Sequence, residues 1–117
     1  MIPAREDRRS ECPISSSLDI LGDKWTLLVL RDALDGKRRF SEFERSPERI
    51  PTNLLTDRLR RLEKAGILVR LPIGNGSRHA YEPTKRGREL RPVLLALSDW
   101  GNQHLADTWV PPTDYLE

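Results

Sequence analysis

The sequence predicts a mainly α-helical domain with one small β-hairpin. Three observations carry that expectation. Apolar residues recur at helical spacing in four separate stretches. Two short runs, the first rich in branched residues, flank a Gly-Asn-Gly turn ahead of the last helix. The chain has 117 residues and one cysteine, which suits one modest core and excludes an internal disulfide framework.

The first eleven residues are polar and are expected to form a flexible arm. A helix is expected to begin at Cys12-Pro13, with proline in its first turn. Ile14, Leu18 and Leu21 make its apolar stripe and Gly22 stops it. Lys24 to Leu34 is apolar nearly all round, the mark of a central buried helix. Trp25 lies there and is expected in the core. Asp35-Gly36 is a turn. A short helix is expected over Arg39 to Arg45, with Phe40 and Phe43 facing inward at i, i+3. Ser46-Pro47-Glu48-Arg49 is a loop, since the residue before proline resists helix.

A longer helix is expected over Ile50 to Gly66. Leu55, Leu59 and Leu62 fall on one face, while Arg58, Arg60, Arg61 and Lys64 lie off it. Its first turn carries the short polar groups of Thr52, Asn53 and Thr56. Ile67 to Leu71 reads as a strand, Pro72 to Ser77 as a turn, and Arg78 to Glu82 as the return strand, ended or kept at an edge by Pro83. Thr84 is expected to cap one long last helix, whose stripe runs from Leu90 through Val93, Leu94, Leu97, Trp100 and His104 to Leu105. The expected domain spans 12–107, and 108–117 forms a tail.

Charge is unevenly placed. Net charge is +2, but the segment from Arg31 to Arg91 holds sixteen Lys and Arg against nine Asp and Glu. The rest holds four basic and nine acidic residues. A basic middle between acidic ends favours a polyanionic partner. No apolar run is long enough to span a bilayer, and the N-terminus has no apolar signal core, so a cytoplasmic protein is expected.

A short helix and a longer basic helix joined by a turn form a helix-turn-helix, and the hairpin after them forms a wing with Arg78 near its tip. The expected partner is therefore double-stranded DNA. Thr52, Asn53, Thr56 and Arg58 are expected to meet base edges. Arg60, Arg61, Lys64, Arg78 and the cluster Lys37, Arg38 and Arg39 divide between phosphates, the minor groove and solvent. A protein-interaction module on the same scaffold would want an apolar patch where arginines stand. An enzyme is less favoured still, because no catalytic constellation is visible. His79 and His104 are the only histidines and lie far apart, so neither metal nor cofactor is expected.

Several motifs resemble the HxlR-type transcriptional regulators, winged helix-turn-helix proteins related to the MarR group. They are Cys12-Pro13, Gly22 to Arg31, Asp35 to Phe43, Leu54 to Glu63, Gly66-Ile67-Leu68, Tyr81, Thr84, Gly87 and Trp100-Gly101. The wing departs from the family pattern: Gly74-Asn75-Gly76-Ser77 and His79-Ala80-Tyr81 stand where that family has a Pro-rich turn and then an apolar residue, an acid and Tyr. The resemblance implies a homodimer built from the first and last helices. Ile14, Leu18, Leu21, Leu94, Leu97, Trp100 and Leu105 are the expected interface, and Trp109 is a further candidate. It also implies control of nearby genes, in some members through thiol-reactive or small-molecule effectors and an N-terminal cysteine, here Cys12. A two-fold dimer would read an inverted repeat with half-sites roughly one helical turn apart.

Overall fold

The computed structural model describes residues 10–76 and 78–105. The chain order is α1 (Pro13–Leu21), α2 (Thr26–Leu34), α3 (Phe40–Glu44), α4 (Thr52–Lys64), β1 (Leu68–Pro72), β2 (His79–Pro83), α5 (Lys85–Arg88) and α6 (Arg91–His104). The expected mainly helical fold with one hairpin is present. The arm at 1–9, the tail at 108–117 and Trp109 lie outside the described residues.

Helix α2 is the hub. Thr26, Val29, Leu30, Asp32, Ala33 and Leu34 are all buried, as its all-round apolar sequence predicts. Helices α1, α3, α4 and α6 and strand β2 all pack against it. The core continues through Phe43, Ile50, Leu55, Leu59, Leu62, Ile67 and Leu68. Phe43 is fully buried and meets Tyr81 of β2 edge-on, with ring centroids 6.5 Å apart. Phe40, expected inside with it, is half-buried against the core.

Helix α4 is two residues shorter at each end than expected. Pro51 stands at its N-cap with extended backbone, leaving Ile50 outside the helix but buried. Ile50 and Leu55 thus hold the positions of a hydrophobic staple. At the other end Gly66 has φ +75°, the left-handed conformation that closes the helix.

The strands pair antiparallel from Leu68 opposite Pro83 to Pro72 opposite His79. Pro83 ends the ladder. Arg39 forms an isolated bridge to Ala80, and Tyr81 N donates to Arg38 O at 2.8 Å, so the segment before α3 is stitched onto β2.

The expectation of one long last helix capped by Thr84 is corrected. Thr84 does cap, accepting from Gly87 N at 3.1 Å, but it caps the four-residue α5. The chain bends at Glu89-Leu90, and α6 starts afresh at Arg91 with Pro92 in its first turn. Pro92 has no N–H to donate to the preceding turn and its ring blocks continuation, so a proline here begins a helix more readily than it crosses one.

Candidate nucleic-acid interface

Helix α4 is divided lengthwise. Leu55, Leu59 and Leu62 are buried to within 1%. The opposite side exposes Thr52, Asn53, Asp57, Arg60, Arg61 and Lys64, with Thr56 half-exposed among them. Thr56 Oγ1 donates back to Thr52 O at 3.1 Å, and Thr52 Oγ1 makes a long bond to Glu44 Oε2 at 3.3 Å. Asn53, Arg60 and Lys64 point to solvent. Asp57 sits on this face too and was missed in the sequence, because a carboxylate does not look like a DNA-facing group. It pairs with Arg58 and lies 3.9 Å from Arg61 Nη1.

Arg58, expected at the base edges, is largely buried against the protomer. It lies three residues after Leu55 and four before Leu62, so its stem starts on the edge of the buried stripe. Only 13% of its side chain is exposed. Its Nε donates to Asp23 Oδ1 at 2.9 Å, and its Nη1 donates to Asp57. Asp23 belongs to the corner between α1 and α2. Its carboxylate also accepts from Trp25 N at 2.8 Å, Thr26 N at 3.1 Å and the Thr26 hydroxyl. Partial burial opposes ionisation of Asp23, but the bonds from Thr26, Trp25 and Arg58 outweigh it and hold the carboxyl well below its ordinary range. An aspartate three residues before a helical threonine is a legible cap signal. Its partnership with a residue 35 positions away is not.

The basic cluster before α3 also splits. Arg38 turns inward, with Nη1 donating to Ala33 O at 2.8 Å and Lys37 O at 2.9 Å. It satisfies a carbonyl near the α2 C-terminus, where a cation is favoured. Lys37 Nζ lies 3.7 Å from buried Asp32. Arg39 remains exposed. The Arg38 guanidinium is thus engaged by backbone oxygens within the protomer, whereas Arg39 stands open.

The turn leading into α4 is braced from α2. Arg31 donates to Glu48 Oε1 at 2.7 Å, to Glu48 Oε2 at 2.8 Å and to Ser46 Oγ at 3.1 Å. The Arg31 bond is the largest influence on Glu48; with Ser46 it overcomes partial burial and draws the carboxyl down to about 2. Arg49 then takes a left-handed φ of 55°. On the hairpin, Arg78 is exposed, and its carbonyl accepts from Ile73 N at 3.0 Å across the turn.

The residues expected at a dimer seam fall into two groups. Ile14, Leu18, Leu97, Trp100 and Leu105 are about half or more exposed, and Val93 joins them at 41%. Leu21 and Leu94 are at most 9% exposed and belong to the protomer's own core, because α1 and α6 turn those positions onto α2. Cys12 is exposed at the N-cap of α1, with its N–H donating to Ser10 Oγ at 3.1 Å. Among the described residues, no three His, Cys, Asp or Glu side chains gather as a metal site would need, and no helix is long and apolar enough to cross a membrane.

The HxlR-like helix-turn-helix family matches residues 20–108. The chain is 38% identical over 94 residues to the HTH-type transcriptional regulator YdeP of Bacillus subtilis, covering 80% of this chain and 73% of that one. Mycobacterium tuberculosis relatives are 37% identical over 100 residues, and the match covers 63% of their length. Among solved structures, the redox regulator HypR in its reduced form matches with a TM-score of 0.74 and 34% identity, over 81% of this chain and 95% of that one. The quinone-bound regulator YodB from B. subtilis matches with a TM-score of 0.67 and 29% identity, over 79% and 99% of the two chains. The curated relatives are named as transcriptional regulators, and none of these names denotes an enzyme. Matched by that family over residues 20–108 and 38% identical to a named regulator over 80% of its length, the chain belongs to the HxlR-like helix-turn-helix family of transcriptional regulators.

Proposed function

We propose that the protein is a cytoplasmic homodimer that binds an inverted-repeat operator in double-stranded DNA and thereby regulates transcription. The observation that carries this reading is the division of α4. Its leucine side is locked into the core, and its outer side offers short polar groups near the N-terminal end followed by cations. Thr52, Asn53 and Thr56 read base edges. Arg39, Arg60, Arg61, Lys64 and Arg78 supply phosphate or minor-groove contacts. The exposed apolar residues of α1 and α6 supply the two-fold seam.

The redox regulators among the structural neighbours support a thiol-responsive form of this role. Cys12 is exposed at the start of α1, beside the proposed seam residues Ile14 and Leu18. With one cysteine per chain, the response is a disulfide between subunits, a mixed disulfide with a small thiol, or alkylation by an electrophile.

Selection from a random duplex pool gives the operator, and titration of that duplex tests the reading. Affinity is expected to fall about 10³-fold between about 50 and 200 mM salt if each protomer makes about three phosphate contacts. An affinity that hardly changes over that range excludes the phosphate contacts. In the same assay diamide or a quinone releases the wild type, and Cys12→Ser stays bound. Release of the variant equal to wild type removes Cys12 from the response.

A further inference from the structure

We propose that Asp23 and Arg58 form a positioning clasp that sets the angle of the recognition helix against the α1–α2 corner. The inference rests on the DNA-binding reading above, and gives Arg58 a part in it that needs no contact with DNA.

The corner is built to be rigid. Gly22 N donates to Leu18 O at 2.8 Å, and a Cβ at Gly22 would lie 2.5 Å from that same oxygen, so only glycine permits this turn. Asp23 follows at once. One of its oxygens receives both backbone donors at the start of α2, and the other receives the Thr26 hydroxyl. This carboxylate cannot swing, because three donors from its own corner fix it. Arg58 docks on it from the middle of α4 at 2.9 Å, and Arg61 Nη1 stands 3.9 Å from its second oxygen. With 13% of its side chain exposed, Arg58 has little surface left for a nucleic acid.

The geometry does something that leucine packing alone does not. Leu55, Leu59 and Leu62 fix which face of α4 is buried, but an apolar seam is non-directional and permits small rolls about the helix axis. A charged hydrogen bond to a fixed carboxylate is directional. It pins the roll halfway along α4. The C-terminal end is held separately: Arg86 Nη1 donates to Ala65 O at 3.1 Å, and the Thr84 hydroxyl donates to Gly66 O. The base-reading side chains of a dimer must meet two half-sites at once, so a roll error in each α4 is doubled across the operator.

The test uses the full chain and three variants, Asp23→Asn, Arg58→Lys and the double substitution. Each is titrated, well below its melting temperature, against the selected operator and against operators with half-site spacing changed by a base pair either way. Either single substitution is expected to lower operator affinity about tenfold and to broaden the accepted spacings, with the double variant no worse than either single. The salt slope should stay at the wild-type value, since no phosphate contact is lost. Asp23→Asn binding like wild type overturns the proposal. So does a salt slope reduced by about one in a fourth variant, Arg58→Gln, which removes the charge and would thereby show Arg58 to be a phosphate ligand, or unchanged spacing tolerance alongside a lower melting temperature, which would make the pair a stability feature only. Amide exchange without DNA separates this from failure of the DNA-binding reading. Faster exchange along α4 and at Trp25 and Thr26 in both single variants, with α6 unaltered, supports the clasp even if no duplex binds. Unaltered exchange along α4 rejects it.

Discussion

Glu48 stays ionised far into acid because Arg31 and Ser46 both donate to it. Its carboxyl lies at about 2 in the folded chain against an ordinary 4.5, so the folded state binds fewer protons through this interval than the unfolded one. The stabilisation is whole above about 4.5 and drains away as pH falls toward 2. Glu48→Gln is expected to cost at most about 1 kcal/mol at neutral pH, since the group is partly solvated. It should also flatten the pH dependence of unfolding between those limits, as followed by urea denaturation. An unchanged slope would mean that the Arg31–Glu48 pair carries no linkage. Asp23 acts with the same sign below its ordinary 3.8. At this scale the sequence was readable in part. Thr52, Asn53, Arg60 and Lys64 stand in the open where periodicity places them. Arg58 and Arg38 do not, because an arginine reaches far enough to leave the face its Cα occupies, and its destination depends on acceptors from other segments.

Elements were more legible than single roles. Helical spacing and the glycine and proline stops located α1 to α4 and both strands to within a few residues, since each buries its stripe on α2 or its neighbours. Spacing gives no sign of a separate α5, because Lys85 to Arg88 carry no apolar stripe and the period of α6 begins only at Leu90; Pro92 marks the restart. A tertiary contact then holds α5 in place. Gly87 is buried so tightly against β1's entry that a Cβ would lie 2.3 Å from Ile67 O. Gly87→Ala must push α5 off the hairpin and loosen the Thr84 bonds to Gly66 O and Ile67 O. The expected cost is about 1–3 kcal/mol, seen as a melting temperature lower by several degrees. A variant as stable as wild type would show that α5 can shift freely.

The whole molecule, as a single protomer, leaves Ile14, Leu18, Val93, Leu97, Trp100 and Leu105 in water. Leu97 is 53% exposed, so a charge there does not disturb the protomer's core. Leu97→Glu is expected to give a folded monomer by sedimentation, with unchanged helical circular dichroism and operator binding weakened by at least about tenfold through loss of the second half-site. A variant that sediments as the wild type does would move the seam away from α6. The family resemblance implies a homodimer, and the seam expected for it included two residues that the protomer buries. Leu21 on the α1 stripe and Leu94 on the α6 stripe are taken up by the protomer's own core.

The lengthwise division of α4 also bears on how such a protein diversifies. The side chains that hold the helix, Leu55, Arg58, Leu59 and Leu62, are distinct from those that face outward with no such tie, Asn53, Arg60 and Lys64. Exposed positions with few structural duties typically change stability by no more than about 0.5 kcal/mol when substituted. Under the DNA-binding role proposed above, a duplicated copy could change its target through the outward positions without first crossing a folding barrier, while changes at the inward ones would be selected against whatever the target.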